Sequence, residues 1–194
     1  MIMTPWGYSV AELPPILTLE QFRDGDGANL SSDDEVIEAK LAGVSAAVRD
    51  HCGWHVAPSL ECEWTGDGEG ALLCLPSMAV TFISSLSIGG VELDPDEYEW
   101  RSTGLVRLRH GVFPDMWRSV ACSYVSGHTS ASAISEVVSQ IALNALVAAP
   151  GVAEEHAGGV GVTYNRTGDG VTGGVSLLAR DIDALAPYVI KRAW

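Results

Sequence analysis

Residues 32–53 read SDDEVIEAKLAGVSAAVRDHCG and residues 60–64 read LECEW, and the change of period between them sets the fold class. In the first stretch Ile37, Leu41, Val44 and Val48 recur at helical spacing, with Val36 and Ala47 beside them, so one apolar stripe lies along a helix. Ser32 followed by Glu35 reads as a capping box, Asp33 and Asp34 suit the positive end of a helix dipole, and Gly53 supplies a left-handed stop. A long helix is therefore expected from Asp33 to Cys52, with Glu38, Lys40, Arg49 and Asp50 on its solvent face. In the second stretch Leu60, Cys62 and Trp64 alternate with Glu61 and Glu63, the two-residue repeat of a half-buried strand.

Downstream, Val80, Phe82, Leu86 and Ile88 keep to even positions, and Gly89-Gly90 before Val91 signals a tight hairpin. Short strands are expected around Tyr98–Trp100, Leu105–Arg109 and Ser119–Val125, punctuated by Pro76, Pro95 and Pro114. A second helix is expected over Ser132–Ala149. Its stripe is Ile134, Val137, Val138, Ile141, Ala145 and Ala148, and small residues such as Ala142 allow close packing on the first helix. Pro150-Gly151 ends it. The glycine-rich stretch Gly158–Gly174, broken by Val160, Val162 and Tyr164, reads as a strand that orders on meeting a partner. Leu177–Leu185, capped by Ser176, reads as a short last helix. Upstream, Thr18–Phe22 gives one helical turn closed by Asp24–Gly27, and residues 1–15, ending in Pro14-Pro15, read as an extended arm.

These elements predict an α+β fold: a small helical bundle of two long helices plus short ones, a small antiparallel β-sheet or hairpin, and extended termini. The expected division is an arm (1–15), a core domain (16–150), and a segment of glycine-rich strand, short helix and C-terminal tail (151–194). No βαβ alternation appears, which argues against a doubly wound nucleotide-binding fold.

The chain has 194 residues, 47% of them hydrophobic, enough for a substantial core. Eleven Lys and Arg against 25 Asp and Glu leave a formal charge of −14, which argues against gripping nucleic-acid phosphates. It suits a protein kept soluble before assembly, or one lining a passage along which DNA slides. No stretch has the length and apolarity of a membrane span, and the N-terminus lacks the basic and apolar regions of a secretory signal, so the chain is expected in the cytosol when made, with no membrane partner. Cys52, Cys62, Cys74 and Cys122 are scattered without a CxxC pair and read as small apolar residues in a reducing compartment.

Chemical motifs are sparse. The loop Asp24–Glu35 begins like a calcium-binding loop, but Ala28 and Asn29 stand where a ligand and the required glycine belong, so it reads as a turn and helix cap. His51-Cys52-Gly53-Trp54-His55 is rich in metal-capable side chains, yet Gly53 breaks the helix between the histidines, and the reading is a core cysteine flanked by surface histidines. Gly159-Val160-Gly161 opens like a dinucleotide fingerprint but meets Tyr164 at the third glycine. No nucleophile is placed on a strained turn beside a base. The expectation is no catalytic, metal or cofactor site, and no enzyme. Trp64 and Trp100 alternate toward the presumed core, whereas Trp6 and Trp194 lie in terminal segments, where a large apolar side chain calls for a covering partner.

The segments Leu17–Phe22, Cys52-Gly53-Trp54, Leu75-Pro76, Ser87-Ile88, Trp117, Val120–Tyr124, Gly127-His128, Pro150-Gly151-Val152, Glu154-Glu155, Val162-Thr163-Tyr164 and Leu185–Tyr188, in that order, resemble the head-tail connector or head-completion adaptor proteins of long-tailed phages. The resemblance covers about residues 16 to 190 and rests on order and spacing, not on any single motif. It implies a structural subunit of the virion neck, present in the host cytoplasm during assembly. Twelve copies would form a ring beneath the portal protein, DNA would pass through the ring without sequence-specific binding, and tail-completion, stopper or tail-terminator proteins would attach to it. Tyr188, Val189, Ile190, Lys191, Arg192 and Trp194, apolar and aromatic at the end of the chain, are the expected portal-docking residues. A tail-completion or terminator protein of the neck is the nearest alternative, and an interaction module unrelated to phages the next.

Overall fold

The structure of the protein, a computed structural model, describes residues 1–129, 132–147, 154–157, 160–163 and 177–191. In chain order the elements are β1 (Ile2–Met3), β2 (Tyr8–Val10), α1 (Leu19–Asp24), α2 (Asp34–Cys52), β3 (Leu60–Gly70), β4 (Leu73–Cys74), β5 (Val80–Ile88) and β6 (Val91–Glu92), then β7 (Tyr98–Trp100), β8 (Leu105–Leu108), β9 (Phe113–Ser126), α3 (Ser132–Val147), β10 (Glu154–Ala157), β11 (Val160–Thr163) and α4 (Ala179–Leu185). They fall into two compact units. A sheet unit comprises Met1–Leu13, Gly53–Ser130 and Tyr188–Trp194, and a helical unit comprises Pro14–Cys52 and Ala131–Pro187.

The sheet unit is dominated by a six-stranded sheet in the order β1-β2-β3-β9-β5-β6, with every neighbouring pair antiparallel. A three-stranded antiparallel sheet, β4-β8-β7, accompanies it. Val10, Cys62, Leu86, Val120 and Tyr124 from the larger sheet and Leu73, Tyr98 and Val106 from the smaller one share a single buried core. Each large apolar side chain so buried contributes about 1.5–3 kcal/mol relative to exposure. The β5–β6 hairpin turns at Gly89-Gly90 with φ of 58° and 81°, the left-handed pair that a type I′ turn requires.

This architecture corrects the expected helical bundle with a small sheet. β9 runs for 14 residues and β3 for 11, so the strands are long and the sheets, not the helices, organise the chain. Sequence reading shortened them for a physical reason. Gly66, Gly68 and Gly70 carry no side chains to show alternation, and Pro114, taken as punctuation, sits inside β9 where the pairing is irregular. The termini differ from expectation as well. The N-terminal segment supplies two strands, with Tyr8 opposite Trp64 and Val10 opposite Cys62, and both Tyr8 and Val10 are buried. Phe82 was expected to point inward, but register shifts on either side of it move the inward positions to Val80, Ile83 and Leu86, leaving Phe82 58% exposed. Trp100, also expected in the core, is exposed at the edge strand β7.

In the helical unit the stripe Ile37, Leu41, Val44 and Val48 of α2 is buried, as are Ile134, Val138, Ile141, Ala142 and Ala145 of α3, and the two helices pack together. Polar groups fix the approaches to this pair. Ser45 Oγ accepts from Ile16 N–H at 3.0 Å, and Arg49 donates to the Pro14 carbonyl at 2.6 Å. α1 is closed by a capping box between Thr18 and Gln21. α4 begins later than expected, at Ala179. The Asp181 carboxylate reaches back to accept from Leu178 N–H at 2.9 Å, and Ser176, the expected cap, lies outside the described residues. β10, just before the glycine-rich stretch, pairs antiparallel with β11 inside it; residues 158–159 and 164–174 of that stretch are not among those described.

Candidate functional site

The Leu60–Ser126 end of the β3–β9 ribbon is tied to the N-terminal strand by a buried histidine. Tyr8 Oη lies 2.7 Å from His55 Nδ1 and accepts from His55 N–H at 3.0 Å, while His55 Nε2 lies 2.9 Å from the Ser126 carbonyl. A carbonyl only accepts, so Nε2 carries the proton and Nδ1 receives the Tyr8 hydroxyl hydrogen. His55 is fully buried, which corrects its reading as a surface histidine, while Cys52 is buried as expected. Gly127 passes close beneath the ring with φ of 110°, and a Cβ there would collide with the Pro58 carbonyl and stand 2.6 Å from His55 Nε2. Val56, β-branched at φ 62°, is held by His128 N–H on its carbonyl at 2.8 Å. Such a backbone costs roughly 1–3 kcal/mol and persists only where its surroundings over-determine it.

The expected docking tail starts on this node. Trp54 Nε1 donates to the Tyr188 carbonyl at 2.7 Å, and the Tyr188 ring meets His128 edge-on with centroids 5.5 Å apart, His128 in turn standing 5.9 Å from Trp54. Burial lowers the His128 pKa below its ordinary value. Tyr188, Val189 and Ile190 are half-buried and Lys191 is exposed; Arg192 and Trp194 lie outside the described residues. Tyr188 is thus fixed to Trp54 and His128 within the sheet unit.

At the opposite end of the same ribbon, residues 66–70 and 113–118 form a finger, rooted in the core by the buried Phe113. Trp117 is 89% exposed there, with Met116 beside it. The finger is not loose. A Cβ at Gly68 would stand 2.9 Å from the Pro114 carbonyl and 3.0 Å from a Val120 methyl, so the strands approach more closely than any side chain permits. Arg118 sits at φ 51°, with its N–H donating to Asp67 Oδ1 at 2.6 Å. Asp67, Glu69 and Asp115 are all exposed on the finger.

A cleft of about 330 Å³ opens beside β7 and β8, lined by Leu72, Glu99, Trp100, Arg101, Leu105, Val106 and Arg107. Arg107 and Arg109 bind Glu99 at 2.6 and 3.2 Å, and Arg107's hydrogen bond, with the charges of both arginines, holds the Glu99 carboxyl below the usual range. Among the described residues Arg101 has no ion-pair partner. Sequence reading missed both surfaces. Trp117 lies just outside the expected strand Ser119–Val125, and only the three alternating glycines opposite it hint at an unusually close strand pair there.

Elsewhere several titratable groups are occupied structurally. The acidic loop closes around Arg23, whose guanidinium donates to the carbonyls of Gly27, Leu30 and Ser32 and to the Asp34 carboxylate. Asp26 accepts from Ser139 and Gln140 on α3. Burial pushes the thiols of Cys52, Cys62 and Cys122 up to about 12, far from the thiolate needed for nucleophilic or metal chemistry at neutral pH. Among the described residues no three His, Cys, Asp or Glu side chains group to hold a metal ion, and no helix is long and apolar enough to cross a membrane.

No protein-family model and no curated protein matches the chain. Its fold does match solved structures of phage-like particles. Over 96% of this chain and 97% of the other, it is similar to a chain of the neck of an empty gene transfer agent particle computed with C6 symmetry, with a TM-score of 0.62 and 12% identity. A chain from the virion of the native gene transfer agent particle matches over the same shares with a TM-score of 0.62 and 14% identity. A chain from the neck of the native particle computed with C12 symmetry gives 0.59 and 13%. At such identities the likeness is one of fold.

Proposed function

We propose that this chain is a structural, non-enzymatic subunit of the neck of a tailed-phage-like particle, acting as the adaptor beneath the portal. Twelve copies form a ring through which DNA passes without sequence-specific binding, and tail-completion, stopper or terminator proteins attach to its far face. The observation that carries this reading is the fold likeness to neck chains, which spans nearly the whole length of both proteins. A formal charge of −14 agrees with a channel that does not hold the DNA backbone.

In this reading the segment from Tyr188 to Trp194 docks on the portal. Tyr188 is anchored through Trp54 and His128, so the residues beyond it start from a fixed point, which lowers the ordering cost of docking. The test is native mass spectrometry of the chain with its portal ring, and of a chain truncated after Ile190, which keeps the Tyr188 anchor. A stoichiometric complex that the truncation abolishes supports the proposal. A full chain that ignores portal and binds tail tube instead makes it a tail-completion protein, and a truncated chain that still binds removes the tail from the portal contact.

A further inference from the structure

The finger and the cleft are complementary in charge, each carries exposed apolar side chains, and both belong to the sheet unit. Trp117 is the most exposed large apolar side chain among the described residues, on a finger whose geometry is set by the Asp67–Arg118 hydrogen bond and by close-packed glycines. An indole held out on a rigid support is pre-organised for insertion, because little conformational freedom remains to be lost on docking. The finger's exposed charges are Asp67, Glu69 and Asp115 against Arg118 alone. The cleft is apolar at Leu72, Trp100 and Leu105, and its rim carries Arg101 and Arg107 against one glutamate. On a chain with only 11 Lys and Arg against 25 Asp and Glu, a cationic rim is scarce, and on a second copy it is the surface that attracts an acidic finger.

We propose that Met116 and Trp117 of one copy seat in the cleft lined by Leu72, Trp100, Arg101, Leu105 and Arg107 of a neighbouring copy. Finger and cleft are different patches, so the contact is heterologous and repeats from copy to copy. Closure of that repeat into a ring rests on the neck reading above; the contact itself does not.

The test uses two variants of the full chain, Trp117→Ser and Arg101→Glu, with self-association followed by sedimentation velocity and native mass spectrometry. Each variant alone should weaken self-association roughly tenfold or more. Mixed, the two should form a one-to-one complex, because the first keeps an intact cleft and the second an intact finger. A photo-reactive benzophenone side chain replacing Trp117 should crosslink to the peptide spanning residues 99–107 of another copy. A wild-type chain that stays monomeric at the highest concentration it tolerates overturns the contact, as do variants that self-associate like wild type or a crosslink that maps elsewhere. A chain that binds portal but shows no finger-to-cleft crosslink loses this contact and keeps its neck role. One that crosslinks as described but ignores portal keeps the contact and loses the role.

Discussion

At the Leu60–Ser126 end of the β3–β9 ribbon, Gly127 slides under a buried imidazole whose two nitrogens and backbone N–H are all engaged by Tyr8 and Ser126. At the Gly70–Phe113 end Phe113 is still buried in the core, while the same two strands hold Trp117 in solvent. Both ends contain backbone at positive φ and glycines demanded by close approach. They differ in what the rigidity supports. The first end closes a core, so a change there acts on folding. The second buries only Phe113 of its own residues in the core and leaves Met116 and Trp117 in solvent, so a change at Trp117 acts on a surface and not on folding.

The largest expected effect tests the first end. Gly127→Ala combines a left-handed φ with a collision against the Pro58 carbonyl, and should cost roughly 3–5 kcal/mol in denaturant unfolding. A loss below about 1 kcal/mol would mean that the ribbon end relaxes freely and that the contrast between the ends is false. Tyr8→Phe is milder because it keeps the ring in the core. It strips His55 Nδ1 and N–H of one partner each, and should cost about 1–3 kcal/mol by the same measurement. An unchanged midpoint would show water entering in place of the hydroxyl and a node less closed than its burial implies.

The parts of the fold open to sequence reading are those that repeat. The α2 stripe, the Gly89-Gly90 hairpin and the alternation around Cys62 each state one rule several times over, and each is found where the rule puts it. What failed were single residues whose fate depends on distant partners. His55 looked like a surface residue because nothing near it in sequence announces Tyr8, 47 residues away. Phe82 obeyed the strand period and was displaced by irregular pairing with β9. The N-terminal strands were hidden because Tyr8-Ser9-Val10 is too short to show a period beside Pro14-Pro15. The likeness to connector proteins was read from ordered short segments, and the solved chains that share the fold come from the neck and virion of gene transfer agent particles. The finger and cleft left no such trace, since an exposed Trp and a paired Arg are defined by what surrounds them in space.

The smallest expected effect tests the second end and bears most directly on the contrast. Trp117→Ser should leave folding stability within about 0.5 kcal/mol of wild type. An indole 89% exposed in the native chain is nearly as wet as in the unfolded one, so its removal forfeits almost no transfer free energy. The left-handed turn at Arg118 is held through its backbone N–H by Asp67, and this bond does not involve the Trp117 side chain. A stability loss well above that bound would make Trp117 part of a folding core, and the two ends of the ribbon would then differ only in degree. An unchanged unfolding midpoint with weakened self-association would separate the two roles on one pair of strands: glycine, tyrosine and histidine at one end fix the fold, and glycine, aspartate and tryptophan at the other present a surface.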